Sequence, residues 1–401
     1  MKPSRLPFSI SIAIAAALAQ FACTEASGTP DGNSSDAAAP PAQSKAAGSA
    51  GSAAQNPPSH AKDAGKGASA PNPTQIIQKP RPPLPDEDLY PDTLREQRDG
   101  LYRRMEATLR LSHQQLTAVR EIVERSPVIG LGNPKVTKYP MTRRECREIR
   151  AAASVVDEEK PMCGAPFMVP IYNAGSGETE EDANICIDRY EFPNIPCEHP
   201  VTFATAREAA EICAAVGKRL CDAHEWEGAC AGSVRSPEEE YAFGKDRRTM
   251  TRLHNKDREI LWAYGREKDH GKCATKSLKS NACTSGGWKR CGSNTYPAGA
   301  FPACVSPFGV YDQHGNAAEH MNLPMSIEEL SSRGSELGFT EMKGSWFIFS
   351  SLEAHIDDCR WRAPDWHGTK VMDRKSHGNY HLGFRCCKSI QKMVKNTEVL
   401  Q

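Results

Sequence analysis

The cysteine distribution restricts this fold more than any other feature: of fifteen cysteines in 401 residues, one stands at Cys23 and the rest lie between Cys146 and Cys387. Cysteines this dense persist as bridges in an oxidising compartment, and the start of the sequence points to one. Lys2 and Arg5 precede an apolar run from Phe8 to Ala19, too short to span a bilayer and of the length of a signal-peptide core. Residues 1–22 read as a signal peptide, cleaved after Ala17-Leu18-Ala19 or immediately before Cys23, where a lipoprotein carries its lipid. Setting Cys23 aside leaves fourteen cysteines, an even set from which seven disulfides are possible. The expected location is the periplasm or cell surface, with a lipid on Cys23 as the link to a membrane.

Charge excludes one class of partner. Lys plus Arg and Asp plus Glu balance at 50 each, and no basic run interleaved with aromatics occurs, so neither nucleic acid nor an anionic membrane surface is an expected partner. Residues 23–87 are Ala, Ser, Gly and Pro with few large apolar side chains, too little to repay the entropy of ordering. They read as a disordered tether, and about sixty residues of such coil reach roughly 45 Å.

From 88 to 158 the pattern is helical. Leu94, Leu101, Met105 and Leu109 share one face, and Ser112 with Gln115 forms a capping box before a second stripe of Leu116, Val119 and Val123. Thr142 and Glu145 cap a short third helix before Cys146. No clustered His, Cys or carboxylates accompany these stripes, so they read as packing or partner surface. The main domain is assigned to 160–392. Strands are expected over Phe167–Ile171 and Ile185–Phe192. Thr205 with Glu208, and Asp222 with Glu225, open two helices that turn Cys213 and Cys230 inward and end at Gly217 and Gly232. Between Ser233 and Pro302 periodicity is weak, and long loops held by disulfides are expected.

Three blocks carry a resemblance: GKRLCDAHEWEGACAG from Gly217 to Gly232, FGVYDQHGNAAEH from Phe308 to His320, and KGSWF from Lys343 followed by CRWR at Cys359 and GFRCC ending at Cys387. In this order they resemble the formylglycine-generating enzyme, or sulfatase-modifying factor, family over about Cys186 to Lys388. The resemblance implies an α+β, loop-rich, disulfide-stapled domain related to C-type lectins. It implies bridges Cys213–Cys386 and Cys230–Cys359, each closing a loop long enough to contribute about 4–5 kcal/mol in a chain-entropy model. It also implies a structural calcium held by the side chains of Asp312 and Glu319 and the carbonyls of Gly315 and Ala317, a hard-oxygen set of the kind calcium takes. An Asx-type turn with solvated carboxylates is the plainer reading of the same residues. His320 stands where the family has Trp.

The resemblance places two copper-binding cysteines ten and five residues before the position of Cys359, where this chain has Phe349 and Ala354. Neither can ligate a soft ion, so copper is not an expected cofactor and copper-dependent cysteine oxidation is disfavoured. Two classes remain. One is a binding or structural module for a protein, peptide or glycan ligand, with no catalytic residues. The other is a divergent oxidoreductase with a relocated metal site at His355 and Asp357, completed by His367, His377 or His381; solvated histidines beside Asp358 and Arg360 are the bland counterpart. A zinc cluster of Cys221, His224 and Cys230 rivals the bridges, and a Cys386-Cys387 redox pair rivals separate bridging. Trp346, Trp361 and Trp366 fit a core or a stacking platform. Glu225 reads as structural.

Overall fold

Helix α1 (Leu94–Leu109) begins where Thr93 Oγ1 accepts from the backbone N–H of Glu96 at 3.3 Å. Helix α2 (His113–Arg125) carries the expected box: Gln115 N–H donates to Ser112 Oγ at 3.2 Å, and Ser112 N–H donates to Gln115 Oε1 at 2.9 Å. The computed structural model describes residues 90–334, 336–364 and 368–391. The expected signal peptide and tether, Trp366 and His367 lie outside these residues.

The stripes of α1 and α2 do not form a separate surface. Leu101, Met105, Leu116, Val119 and Val123 share one buried cluster with Ala209, Ile212 and Cys213 of α4 (Ala206–Ala215) and with Phe384. Helix α3 (Arg143–Ala152) is boxed by Thr142 and Glu145. Arg143 of α3 and Arg104 of α1 both meet the buried carboxylate of Glu198. Burial would raise that carboxyl, but the two guanidinium groups outweigh it and hold it down to about 2.

The main domain contains two small sheets. Strands β1 (Met168–Ile171), β2 (Ile185–Asp188), β3 (Arg219–Leu220) and β7 (Cys386–Ser389) form an antiparallel sheet in the order β1-β2-β7-β3. Strand β4 (Ala318–Leu323) pairs antiparallel with β5 (Phe339–Lys343) and parallel with β6 (Leu382–Phe384). β2 is shorter than expected because Asp188 turns its buried carboxylate to Lys218 and Asn194. The Tyr190 N–H then goes to Asn194 Oδ1 at 3.1 Å, leaving the ladder.

Seven disulfides staple the described residues: Cys146–Cys197, Cys163–Cys186, Cys213–Cys386, Cys221–Cys387, Cys230–Cys359, Cys273–Cys304 and Cys283–Cys291. Both family-implied bridges are present. Adjacent Cys386 and Cys387 serve different partners because successive strand side chains point to opposite faces; one joins the α4 cluster and the other the cluster around Trp226. The redox-pair and zinc readings are thereby corrected. His224 instead places Nδ1 3.1 Å from the Tyr241 hydroxyl.

The segment 233–302 holds the Cys283–Cys291 bridge and is tied at Cys273 to Cys304, yet it also forms helices α6 (Pro237–Glu240) and α7 (Arg247–Asp257), where loops were expected. Helix α7 shows no apolar stripe because polar groups anchor it. His254 Nε2 lies 2.7 Å from the Arg360 carbonyl, and Asn255 Nδ2 donates to that of Arg362 at 2.8 Å. Among the described residues no helix is long and apolar enough to cross a membrane.

Candidate functional site

Helix α5 (Ala223–Ala231) opens on Asp222, boxed with Glu225 as expected, and Arg219 forks onto Glu225 at 2.6 and 2.7 Å, which makes that glutamate structural. The same helix buries Glu227. Its carboxylate receives Arg362 Nε and Nη2 at 2.8 and 3.0 Å and Lys343 Nζ at 2.9 Å, while Arg360 pairs with Glu240. His254 lies between these two glutamates at 3.6 and 3.2 Å. Burial opposes ionisation of Glu227, but Arg362 and Lys343 hold it well below the usual carboxylate range. Gly344, at φ +74°, takes the turn after Lys343, and a Cβ there would stand 2.8 Å from the Gln313 carbonyl.

Beyond this turn the chain reaches Phe349 and Ala354. The Phe349 ring is fully buried, 5.2 Å from the His270 ring and 5.0 Å from that of His355, whereas Ala354 is exposed. Asp357 follows, and its histidine neighbours are His270, with Nε2 at 3.5 Å, and His314, with Nδ1 at 3.8 Å. His355 instead turns Nδ1 to the Ile356 carbonyl at 2.8 Å and stacks on Trp361 at 5.1 Å. His381 packs on Trp346 at 4.0 Å. Among the described residues, the ligating groups gathered around Asp357 are His270 and Glu353, and neither His355, His377 nor His381 joins them. Among the described residues, the grouping at Asp357 is therefore with His270 rather than His355, while His367 lies outside them. Trp346 and Trp361 are half-buried, each against a histidine.

The turn after β-bridge residue Tyr311 positions the expected calcium residues. Asp312 and Asn316 adopt φ +58° and +52°, with Gly315 at +79° between them. Asp312 Oδ2 accepts from the Gly299 N–H at 2.5 Å, while Oδ1 is buried with no hydrogen-bond partner. Arg385 donates to both oxygens of Glu319 at 2.6 Å, and Trp226 Nε1 donates to Oε2 at 3.0 Å, so Oε1 keeps acceptor capacity. Glu191, which the sequence reading missed, accepts from Ala317 N–H at 2.8 Å and Asn316 Nδ2 at 2.6 Å. Burial, then Asp312 and Glu319, push Glu191 well above its ordinary value, and burial lifts Asp312 to about 6. The donor set is oxygen-only and rich in negative charge, which fits a hard divalent cation.

Residues 135–390 match the model of the sulfatase-modifying factor enzyme 1-like domain. The chain belongs to the sulfatase-modifying factor family. The matched region starts upstream of the motif blocks and includes α3 and the Cys146–Cys197 bridge. Among solved structures, the chain is similar to PvdO from Pseudomonas aeruginosa, at 16% identity over 56% of this chain and 90% of that one, with a TM-score of 0.28. It is also similar to CarF, at 14% identity over 48% and 69% with a TM-score of 0.24, and to the Major Tropism Determinant I1 variant, at 13% over 56% and 50% with 0.23. No curated protein sequence matches it.

As a sulfatase-modifying factor relative, this chain keeps the parts that hold the domain together: Lys343, Arg362, Arg385 and the bridges of Cys213 and Cys230. His270 and His314 were missed as neighbours of Asp357. His270 sits in the irregular segment, where Asp269 Oδ1 accepts from Gly271 N–H at 2.9 Å and turns it inward. The bracketing Asp269 and Gly271 are the local signal of that turn.

Proposed function

We propose that this sulfatase-modifying factor family member is an exported binding or structural module, tethered through a lipid on Cys23, that presents its scaffold to a protein, peptide or glycan and does not oxidise cysteine with copper. The observation that carries this reading is the buried phenyl ring of Phe349 at one of the two thiolate positions, with the methyl of Ala354 at the other. Two thiolates are what would give a monovalent copper ion its soft site, and no side chain at these positions offers one. Seven disulfides support an oxidising compartment.

A structural calcium belongs to the same proposal. Its ligands would be Asp312 and Glu319 with the carbonyls of Gly315 and Ala317, and the orphaned Oδ1 of Asp312 and the open acceptor site of Glu319 Oε1 support it. It would offset carboxylate charge that Arg385 and, for Asp312, Arg150 balance in part.

The test is incubation of the purified, disulfide-intact protein with copper and a cysteine-containing sulfatase peptide, followed by mass spectrometry. No formylglycine is expected, and the double variant Phe349→Cys/Ala354→Cys should gain copper binding. Turnover by the unaltered protein, or stoichiometric redox-active iron or copper in it, would overturn the module reading in favour of a divergent oxidoreductase. Mass spectrometry of the mature N-terminus tests the lipid on Cys23.

A further inference from the structure

Asp357 is held more tightly than a solvated loop carboxylate would be. Its Oδ1 accepts from Trp262 Nε1 at 3.1 Å and its Oδ2 from Ser345 Oγ at 2.9 Å. Ser345 is itself fixed, since its hydroxyl oxygen accepts from the Gly315 N–H at 2.9 Å. His314 Nδ1 also faces this carboxylate, at 3.8 Å and without a hydrogen-bond partner. The Ala263 N–H donates to His314 Nε2 at 3.0 Å, which leaves the ring proton on Nδ1, the atom that faces Asp357. Burial works against ionisation here, and His270, His314 and Trp262 outweigh it, keeping this carboxyl well below its usual range.

The side of Asp357 toward His270 is different. His270 Nε2 is buried without a hydrogen-bond partner and stands 3.5 Å from Asp357 Oδ2, beyond ordinary hydrogen-bonding distance. A carboxylate oxygen of Glu353 completes a set whose ligand atoms all lie within 4.8 Å of one another. Two ligands on one tetrahedral ion, each at about 2.1 Å, are separated by roughly 3.4 Å, which is the spacing His270 and Asp357 already have.

Three other groupings of ligating atoms lie among the described residues. Two include cysteines tied up in the Cys230–Cys359 and Cys221–Cys387 bridges. The third, Glu227 with Glu240 and His254, is filled by Lys343, Arg360 and Arg362. Among the described residues, the cation paired with the His270 group is Lys268, on the half-exposed Glu353, an exchange at the surface that costs little.

We propose that His270, Glu353 and Asp357 form a mononuclear site for a divalent transition ion of the zinc or manganese class. One imidazole and two carboxylates supply two negative charges, suited to such an ion, and three protein ligands leave coordination positions for water or an anionic oxygen ligand. Ser345 and Trp262 are positioning residues that aim Asp357. The site does not rest on the module reading or on calcium.

The test is calorimetric titration of zinc into the mature, disulfide-intact, calcium-saturated protein. One equivalent should bind, and His270→Gln and Glu353→Gln should each weaken binding at least tenfold. Glu353 is outside the core, so its variant reads the site without disturbing the fold; cobalt substitution should give ligand-field absorption that His270→Gln alters. No binding at about 100 μM zinc, or binding unchanged in both variants, overturns the proposal.

Discussion

Arg360 and Arg362, just after Cys359, run inward to Glu240 and Glu227, whereas Asp357, just before it, faces two histidines and a glutamate. In the first region, each buried acid has a cation fixed by the chain itself. In the second, the acid is aimed by neutral donors, and the two imidazole nitrogens that face it, His270 Nε2 and His314 Nδ1, have no hydrogen-bond partner. Both regions are buried and charged, so burial alone does not separate structure from site; the origin of the counter-charge does. A cluster closed by its own arginines has no reason to take an ion.

The sharpest way to break this comparison is to open the closed region. Arg362→Met leaves Glu227 buried with Lys343 as its remaining close cation and should cost about 3–5 kcal/mol in urea unfolding. A loss below about 1 kcal/mol would show that this network is not what stabilises the domain.

Next in size is calcium at the third acidic region. Melting in saturating calcium should be stabilised by about 2.7 kcal/mol relative to chelator at a hundredfold excess over the dissociation constant. The pH dependence has a definite sign. Asp312 is raised from its ordinary 3.8 to about 6, so the folded chain retains a proton that the unfolded chain releases. Without calcium, stability therefore falls as pH climbs from about 4 through about 6. With calcium bound the fall should vanish, and equal melting with and without calcium at pH 7.5 counts against the site.

Asp357→Asn should then cost about 1–3 kcal/mol without metal, less than Arg362→Met, because its neighbours are neutral donors that an amide can partly satisfy. Parity between the two variants would erase the distinction. Smallest of all, Glu353→Gln should move metal-free stability by about 0.5 kcal/mol or less, since the side chain is half exposed.

Much of the scaffold was legible because it rests on local rules. The Ser112–Gln115, Thr205–Glu208 and Asp222–Glu225 boxes start their helices as read, and the inward period of Cys213 and Cys230 agrees with their bridges. Helix α7 was missed because hydrogen bonds to the 360–362 backbone, rather than an apolar face, hold it. The sites were harder still. Asp312 and Glu319 sit close in sequence and were named, but Glu191 reaches them through a distant backbone, bonding Ala317 and Asn316. His270 joins Asp357 across the longest irregular stretch, and a nearby His355 looked the better partner until its ring went to Trp361.

The position of strand β7 bears on how the molecule can be assembled. Cys386 and Cys387 close back to Cys213 and Cys221, over separations of 173 and 166 residues, and Cys359 closes back to Cys230 over 129. Cys213, Cys221 and Cys230 therefore wait for partners made at least 129 residues later. Four bridges, at separations of 8 to 51 residues, can close as the chain is threaded out, but these three cannot; strand β7 is the clasp. A product cut short before Cys386 would be left both open and reactive, carrying free thiols that any quality-control thiol chemistry can seize.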